Sequence, residues 1–195
     1  MSKAMIKNQN NSYVLNAKKK LLKVILNHIE TKQFKQKEIQ DLFNIKQPRV
    51  SDLVNKKLEK FSLDALLMYL YNIEYSIVCI SSTNLTDYIE NIKIRMIRNI
   101  KEMISFHGYK QREIADILTI KQPRVSDLIN NKFEKFSIDT LFVYIYRFGY
   151  KFSLLEISKY HIDIKFTQTN KKNNQYYFAT QHIKLIKIAA WKKDL

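Results

Sequence analysis

The sequence is poor in residues that bend or crosslink a chain, with two glycines, two prolines and one cysteine among 195 residues. Two glycines cannot build a glycine-rich phosphate loop, which excludes the common nucleotide-binding motifs. One cysteine, Cys79, cannot form a disulfide framework, and the polar N-terminus lacks the apolar core of a signal peptide. Both features favour a reducing, cytoplasmic compartment. The four histidines are scattered without metal-ligand spacing, so we expect no enzyme, no metal and no cofactor.

Long apolar runs and acidic residues are also scarce. No segment approaches the roughly 18 apolar residues of a membrane-spanning helix, which argues against a membrane protein. Eighteen Asp and Glu stand against 34 Lys and Arg, which leaves a formal net charge of +16. An excess of this size favours a polyanionic partner such as nucleic acid. Solvated lysine that only keeps the protein soluble is the alternative explanation of the charge.

The sequence does contain an internal repeat. A shift of 75 residues aligns Gln36–Tyr75 with Gln111–Tyr150, with identical residues at 24 of 40 positions. The eight residues of Lys46–Leu53 recur letter for letter as Lys121–Leu128, and both prolines lie in these blocks. The predicted organisation is therefore a polar N-terminal segment (1–17), repeat 1 (18–80), a connector (81–92), repeat 2 (93–155) and a basic C-terminal tail (156–195).

Within each repeat, apolar spacing predicts four helices. A long helix with an apolar face comes first, and a short helix begins at Gln36. Asn44, which tolerates the left-handed conformation, is the predicted turn to a third helix that carries Pro48 in its first turn. Ser62 is a predicted N-cap of the fourth helix. The buried stripe of the third helix is predicted to be Val50, Leu53 and Val54.

The segment Gln36–Asn55 resembles the XRE/Cro-type helix-turn-helix of phage repressors and HigA-type antitoxins. The shared pattern is Gln-x-x-(Ile/Leu)-Ala-x-x-(Leu/Phe)-x-Ile-x-Gln-x-x-(Val/Ile)-Ser-x-(Leu/Ile), which repeat 2 follows over Gln111–Leu128. The resemblance implies a mainly α fold with two tandem lambda-repressor-like helix-turn-helix domains, each followed by a short β-strand. A small α/β or irregular C-terminal tail completes the expected fold class.

Two positions depart from the family pattern. Gln40 stands where the family has a small residue, and Thr119 stands at the turn where it often has glycine. Because a β-branched residue is poor in the left-handed conformation, we expect the second turn to adopt another geometry. These two positions are where the repeats are expected not to be equivalent.

The resemblance places the third helix of each repeat in the major groove of DNA. Glutamine can bind adenine and arginine can bind guanine through paired hydrogen bonds. The candidate base-reading residues are Gln47, Arg49, Ser51, Asp52, Gln122, Arg124, Ser126 and Asp127. The candidate phosphate contacts are Gln36, Lys46, Lys57, Gln111, Lys121 and Lys132. Three alternatives stay open: Gln47 as a helix cap, Arg49 as a phosphate contact or solvated charge, and Asp52 as the partner of the arginine.

The implied function is a sequence-specific, double-stranded DNA-binding transcriptional regulator. Within it, an antitoxin that binds a toxin and represses its own operon competes with a phage-like repressor. A protein-interaction module and a non-specific nucleic-acid-binding protein are the alternatives on the same fold. Two recognition helices on one chain also predict an internal pseudo-dimer on a bipartite DNA site, with 75–80 and 150–155 pairing as strands.

Overall fold

The computed structural model describes residues 3–73, 75–77, 85–158, 161–168 and 181–187, with side chains described over 8–73 and 86–151. The chain divides into two compact units. The helices of the first are α1 (Lys3–Lys32), α2 (Gln36–Phe43), α3 (Gln47–Val54) and α4 (Leu63–Asn72). Those of the second are α5 (Leu85–His107), α6 (Gln111–Leu118), α7 (Gln122–Ile129) and α8 (Ile138–Arg147). None of the described helices is both long and apolar enough to cross a bilayer.

The first helix of each unit is longer than the sequence predicted. Helix α1 covers most of the expected N-terminal segment, where Ala17 and Asn10 are both buried. Helix α5 begins inside the expected connector, and Tyr88 on it is fully buried. Both helices extend beyond the repeat because their buried faces do. Packing of one face stabilises a helix in a protein even where its other residues are polar.

Each unit has an apolar core between its first and fourth helices. In the first unit Leu21, Ile25 and Ile29 of α1 and Leu66, Leu67 and Leu70 of α4 are buried. Burial of each such side chain contributes about 2 kcal/mol relative to exposure. Ser62 Oγ accepts a hydrogen bond from the Ala65 N–H at 3.2 Å, which confirms the predicted N-cap of α4. Ser137 caps α8 in the same way.

The turn between the second and third helices has the same geometry in both units. Asn44 is left-handed, with φ 51° and ψ 52°. Thr119 is left-handed too, with φ 51° and ψ 49°, so the expectation of another geometry there was wrong. The turn has the same hydrogen bonds in both units, and they override the preference of threonine: the N–H groups of Ile45 and Ile120 donate to Gln40 O and Ala115 O, each at 3.0 Å.

The buried stripe of α3 is narrower than predicted. Val50 and Leu53 are fully buried, but Val54 is 46% exposed, so its predicted place in the stripe was wrong. Val54 is the last residue of α3, and the chain leaves the helix there before the next turn can cover it. Gln40 is half-buried and donates from Nε2 to Gln36 O at 3.4 Å, within its own helix.

The strands form one four-stranded sheet in the order β1-β4-β3-β2. Their bounds are β1 Tyr75–Ile77, β2 Tyr150–Ser158, β3 His161–Gln168 and β4 Gln181–Lys187. Strand β1 pairs antiparallel with β4, with Tyr75 opposite Lys187 and Ile77 opposite Leu185. The predicted short strand after each repeat is confirmed as β1 and β2, and the tail contributes β3 and β4.

The predicted pairing of 75–80 with 150–155 was wrong, because β1 and β2 lie at opposite ends of the strand order. Two strands of the tail occupy the positions between them, and β3 follows β2 directly in both chain and sheet, as sequential strands usually do. The pseudo-two-fold strand pair therefore does not form. Residues 78–80, 169–180 and 188–195, with Cys79 and Trp191, lie outside the described residues.

The left-handed threonine gives a matched pair of substitutions. Thr119→Asn should raise the free energy of unfolding by about 1 kcal/mol, because asparagine relieves the steric cost of a β-branched residue at positive φ. Asn44→Thr should lower it by a similar amount. Urea denaturation followed by circular dichroism measures both. A Thr119→Asn protein no more stable than the parent would contradict the assignment of strain to this turn.

Candidate nucleic-acid interface

Helices α3 and α7 each begin with an exposed glutamine, and in the first unit the preceding helix contacts it. Gln47 is the first residue of α3, after the extended residue Lys46 and before Pro48, whose fixed φ suits the first helical turn. Gln47 Nε2 donates to Gln36 Oε1, the first residue of α2, at 3.4 Å. Gln47 therefore stands at the start of α3, and a residue of α2 orients its side chain.

The arginine of each third helix lies over a buried aromatic ring. The Arg49 guanidinium carbon is 4.0 Å from the Phe61 ring centroid. Phe61 meets Tyr69 edge to face at 6.1 Å, and Tyr69 stacks on Phe43 at 4.6 Å. The guanidinium therefore ends an aromatic series that begins in the core, and the cation–π contact limits the directions in which it points.

The second unit repeats this arrangement. Arg124 lies 4.0 Å from the centroid of Phe136, which meets Tyr144 edge to face at 6.0 Å. Arg124 Nη2 also donates to Lys135 O, in the one-turn helix Phe133–Lys135. Both arginines are half-buried, so neither is a freely solvated charge.

The aspartate of each third helix is bound by lysine and not by the neighbouring arginine. Asp52 accepts from Lys57 Nζ at 2.8 Å, and Asp127 accepts from Lys132 at 2.9 Å and Lys135 at 3.1 Å. The hydrogen bond from Lys57 lowers the pKa of Asp52, and those from Lys132 and Lys135 lower the pKa of Asp127. The bond to Asp52 in turn raises the pKa of Lys57.

The serine of each third helix is bound within the same face. Ser51 Oγ accepts from Asn55 Nδ2 at 3.1 Å, and Ser126 Oγ accepts from Asn130 Nδ2 at 3.1 Å. Each serine is half-buried beside the fully buried apolar residues of the helix. Hydrogen-bonded polar side chains therefore cover the outer side of α3 and α7. On the inner side, Val50 and Leu53 of α3, and Val125 and Leu128 of α7, are buried in the core.

A protein-family model described as "Helix-turn-helix domain" matches residues 7–77 and again residues 83–155. The chain belongs to the helix-turn-helix domain family. The two matches confirm the tandem duplication and its resemblance to helix-turn-helix proteins. No curated protein and no solved structure matches the chain. Helix-turn-helix domains are typical of DNA-binding regulators, in which the second helix of the motif enters the major groove.

The two helix-turn-helix domains bring together most of the candidate residues. Gln36 contacts Gln47, and Lys57 contacts Asp52, so a candidate phosphate contact touches a candidate base reader in each pair. Lys46 and Lys121 are exposed immediately before their helices. Gln111 and Gln122 are exposed at the starts of α6 and α7. Among the side chains the structure describes, no group of acids, histidines or cysteines could hold a metal ion.

Sequence reasoning missed the residues that hold this face in place. They are the ring under each arginine, the amide on each serine and the second lysine on Asp127: Phe61, Phe136, Asn55, Asn130 and Lys135. All of them recur at the 75-residue shift, Lys135 as the counterpart of Lys60. Internal identity outside the letter-for-letter block was the available signal.

Removal of Lys57 tests the ion pair. In Lys57→Met, the titration midpoint of the Asp52 carboxyl, followed by NMR, should rise toward the ordinary value of about 3.9. Asp127 should keep its lowered midpoint, which makes the second domain the internal control. Because the pKa values of Asp52 and Asp127 are lowered in the folded protein, the ion pairs stabilise the fold at pH values above the pKa of an ordinary aspartate. This stabilisation is lost as the pH falls through the lowered pKa values. An unchanged Asp52 midpoint would show that Lys57 does not cause the shift.

Proposed function

We propose that this chain is a sequence-specific, double-stranded DNA-binding transcriptional regulator that uses α3 and α7 as recognition helices. The main support for the proposal is that the same polar surface, with side chains held by the same contacts, occurs on both α3 and α7. Each helix has an exposed glutamine at its start, an arginine stacked at 4.0 Å on a buried ring and an aspartate bound to lysine. Preorganised side chains lower the entropic cost of recognising a base.

Gln47 and Gln122 are the base readers in this proposal. They are exposed at the helix start, which is the part of a recognition helix that reaches base edges. The side-chain oxygen and amide of glutamine fit the N6 and N7 edge of adenine. The contact from Gln36 aligns the amide of Gln47 from the side and leaves it able to bond a base.

Arg49 and Arg124 contact the DNA backbone in this proposal. Each guanidinium is half-buried against its phenyl ring, and Arg124 is also bound to the loop that follows its helix. A guanidinium held along the protein surface suits a phosphate at the edge of the groove better than a base at its floor. Asp52 and Asp127 then position Lys57 and Lys132 for the backbone and do not read cytosine.

Two identical recognition sequences on one chain favour a bipartite DNA site with two similar half-sites. The letter-for-letter match of Lys46–Leu53 with Lys121–Leu128 means that both helices offer DNA the same side chains. The net charge of +16 supplies the sequence-independent attraction to phosphate that such a protein needs. A monomer would in this way match the valency of a dimeric repressor.

The resemblance to HigA-type antitoxins adds autorepression and a toxin partner to the proposal. Co-purification of a co-encoded small protein tests the partner.

A protein-interaction module without DNA binding, and a non-specific nucleic-acid-binding protein, are the competing functions. The exposed residues Gln47 and Gln122 are identical after duplication although Gln40 and Ala115 have diverged, which favours a face still in use.

Selection of binding sites from random duplexes tests the proposal. The parent should select one motif, and Gln47→Ala/Gln122→Ala should lose about 1–3 kcal/mol per contact with relaxed preference at one position of each half-site. Arg49→Ala/Arg124→Ala should weaken all sequences uniformly and reduce the salt dependence by about one phosphate contact per helix. No enriched motif, or equal affinity for random DNA and RNA, would contradict sequence-specific binding.

A further inference from the structure

The first unit has an open groove between α1 and the one-turn helix Leu58–Lys60, on residues that the DNA-reading face does not use. It encloses about 540 Å³. Its apolar side is formed by three leucines, Leu22, Leu26 and Leu58, that belong to the buried core of this unit. A volume of this size lies within the range of about 300–1,000 Å³ that is typical of small-molecule sites.

The rim of the groove is cationic. Lys19 and Lys23 stand one helical turn apart on α1, and Lys56 stands opposite them after α3. No ion pair or hydrogen bond of these three ammonium groups occurs within the described residues. Glu30 is the only acid among the lining residues. The groove therefore combines an apolar floor with an excess of unpaired positive charge.

The second unit has different residues at the same positions. Leu26 is replaced by Lys101, Lys56 by Asn131 and Leu58 by the larger Phe133. Lys101 Nζ donates to Asn131 Oδ1 at 3.1 Å, which links the two sides of the corresponding position. The two repeats are thus identical at the DNA-reading face and different at the groove. The second unit has a larger side chain and a hydrogen bond there, whereas the first unit has open space.

We propose that the groove of the first unit binds a small amphipathic anion. An apolar chain or ring system of the ligand lies on the three leucines, and its anionic headgroup lies among Lys19, Lys23 and Lys56. Burial of the apolar part supplies affinity, and the lysines select for negative charge. The second unit does not bind this ligand, because Phe133 and the Lys101–Asn131 hydrogen bond occupy the space.

Isothermal titration of the full-length protein with decanoate tests the site. The decisive variant grafts the residues of the second unit onto the first: Leu26→Lys/Lys56→Asn/Leu58→Phe. It leaves the net charge unchanged, so non-specific attraction of an anion to a basic protein is the same in both. We expect one site in the parent and at least about tenfold weaker binding in the graft, which is a loss of about 1.4 kcal/mol.

Two further titrations keep the result independent of the folding of the graft. Lys19→Gln/Lys23→Gln changes only exposed rim residues and should weaken decanoate binding severalfold. Decyltrimethylammonium, which has the same chain and the opposite charge, should not bind the parent at this site. A graft that binds decanoate as tightly as the parent, or a cation that binds as tightly as decanoate, would overturn the proposal.

The position of the groove links it to the candidate DNA face, and this link rests on the proposed function. Lys56 and Leu58 flank Lys57, which binds Asp52 on α3. An anion held there adds negative charge beside a phosphate contact, so saturating decanoate should weaken binding to the selected DNA site about fivefold in the parent and not in the graft. DNA affinity unchanged by decanoate would remove the link alone. Absence of any DNA binding would overturn the proposed function, and calorimetry would still decide the groove.

Discussion

The left-handed residue between the second and third helices is the constraint on which each domain depends. It ends α2 at Phe43 and redirects the chain within a few residues, so that Val50 and Leu53 reach the core while Gln47 stays exposed. The fourth helix supports the same place: Asn72 Nδ2 donates to Leu42 O at 3.1 Å, and Arg147 donates to Leu118 O in the second domain. That redirection determines which side of α3 faces outward.

The polar face is held by contacts of different physical kinds. The arginine is held by cation–π contact with a ring that the core fixes, and the aspartate is held by charge-assisted hydrogen bonds. The aspartate also places a negative charge on an otherwise positive surface, where it pairs with the lysine that follows the helix. The ion pair also fixes the position of the lysine ammonium group, as the proposed contact of Lys57 with the DNA backbone requires.

Much of the fold could be predicted from the sequence because its signals are local. Apolar spacing, Pro48 in a first turn, Asn44 at a left-handed position and Ser62 as a cap each depend on a few neighbouring residues. The strand partners could not be predicted, because the choice between β2 and β4 as the neighbour of β1 depends on a tail whose pattern is weak. Thr119 shows the same limit on a smaller scale, since the backbone hydrogen bonds of the turn overrode the preference of threonine.

The candidate DNA contacts could be chosen from the sequence, but the contacts among their side chains could not be predicted. Every candidate residue lies in the repeated block or its flanks, but the sequence does not show that Asp52 binds Lys57 while Arg49 lies on Phe61. Side-chain partners depend on the path of the loop after α3, and the composition of that loop does not specify it. The residues identical in both repeats carry the proposed DNA function, and the diverged residues Lys56 and Leu58 carry the proposed anion site of the first domain.

Two equivalent recognition helices on one chain should read two similar half-sites. The most direct measurement is the affinity and stoichiometry of the protein on duplexes that carry one or two copies of the selected half-site, over a series of spacings. We expect one chain per two-half-site duplex, with affinity at the best spacing about 100-fold above that for a single half-site. One chain per half-site, with equal affinity for both duplexes at every spacing, would contradict it.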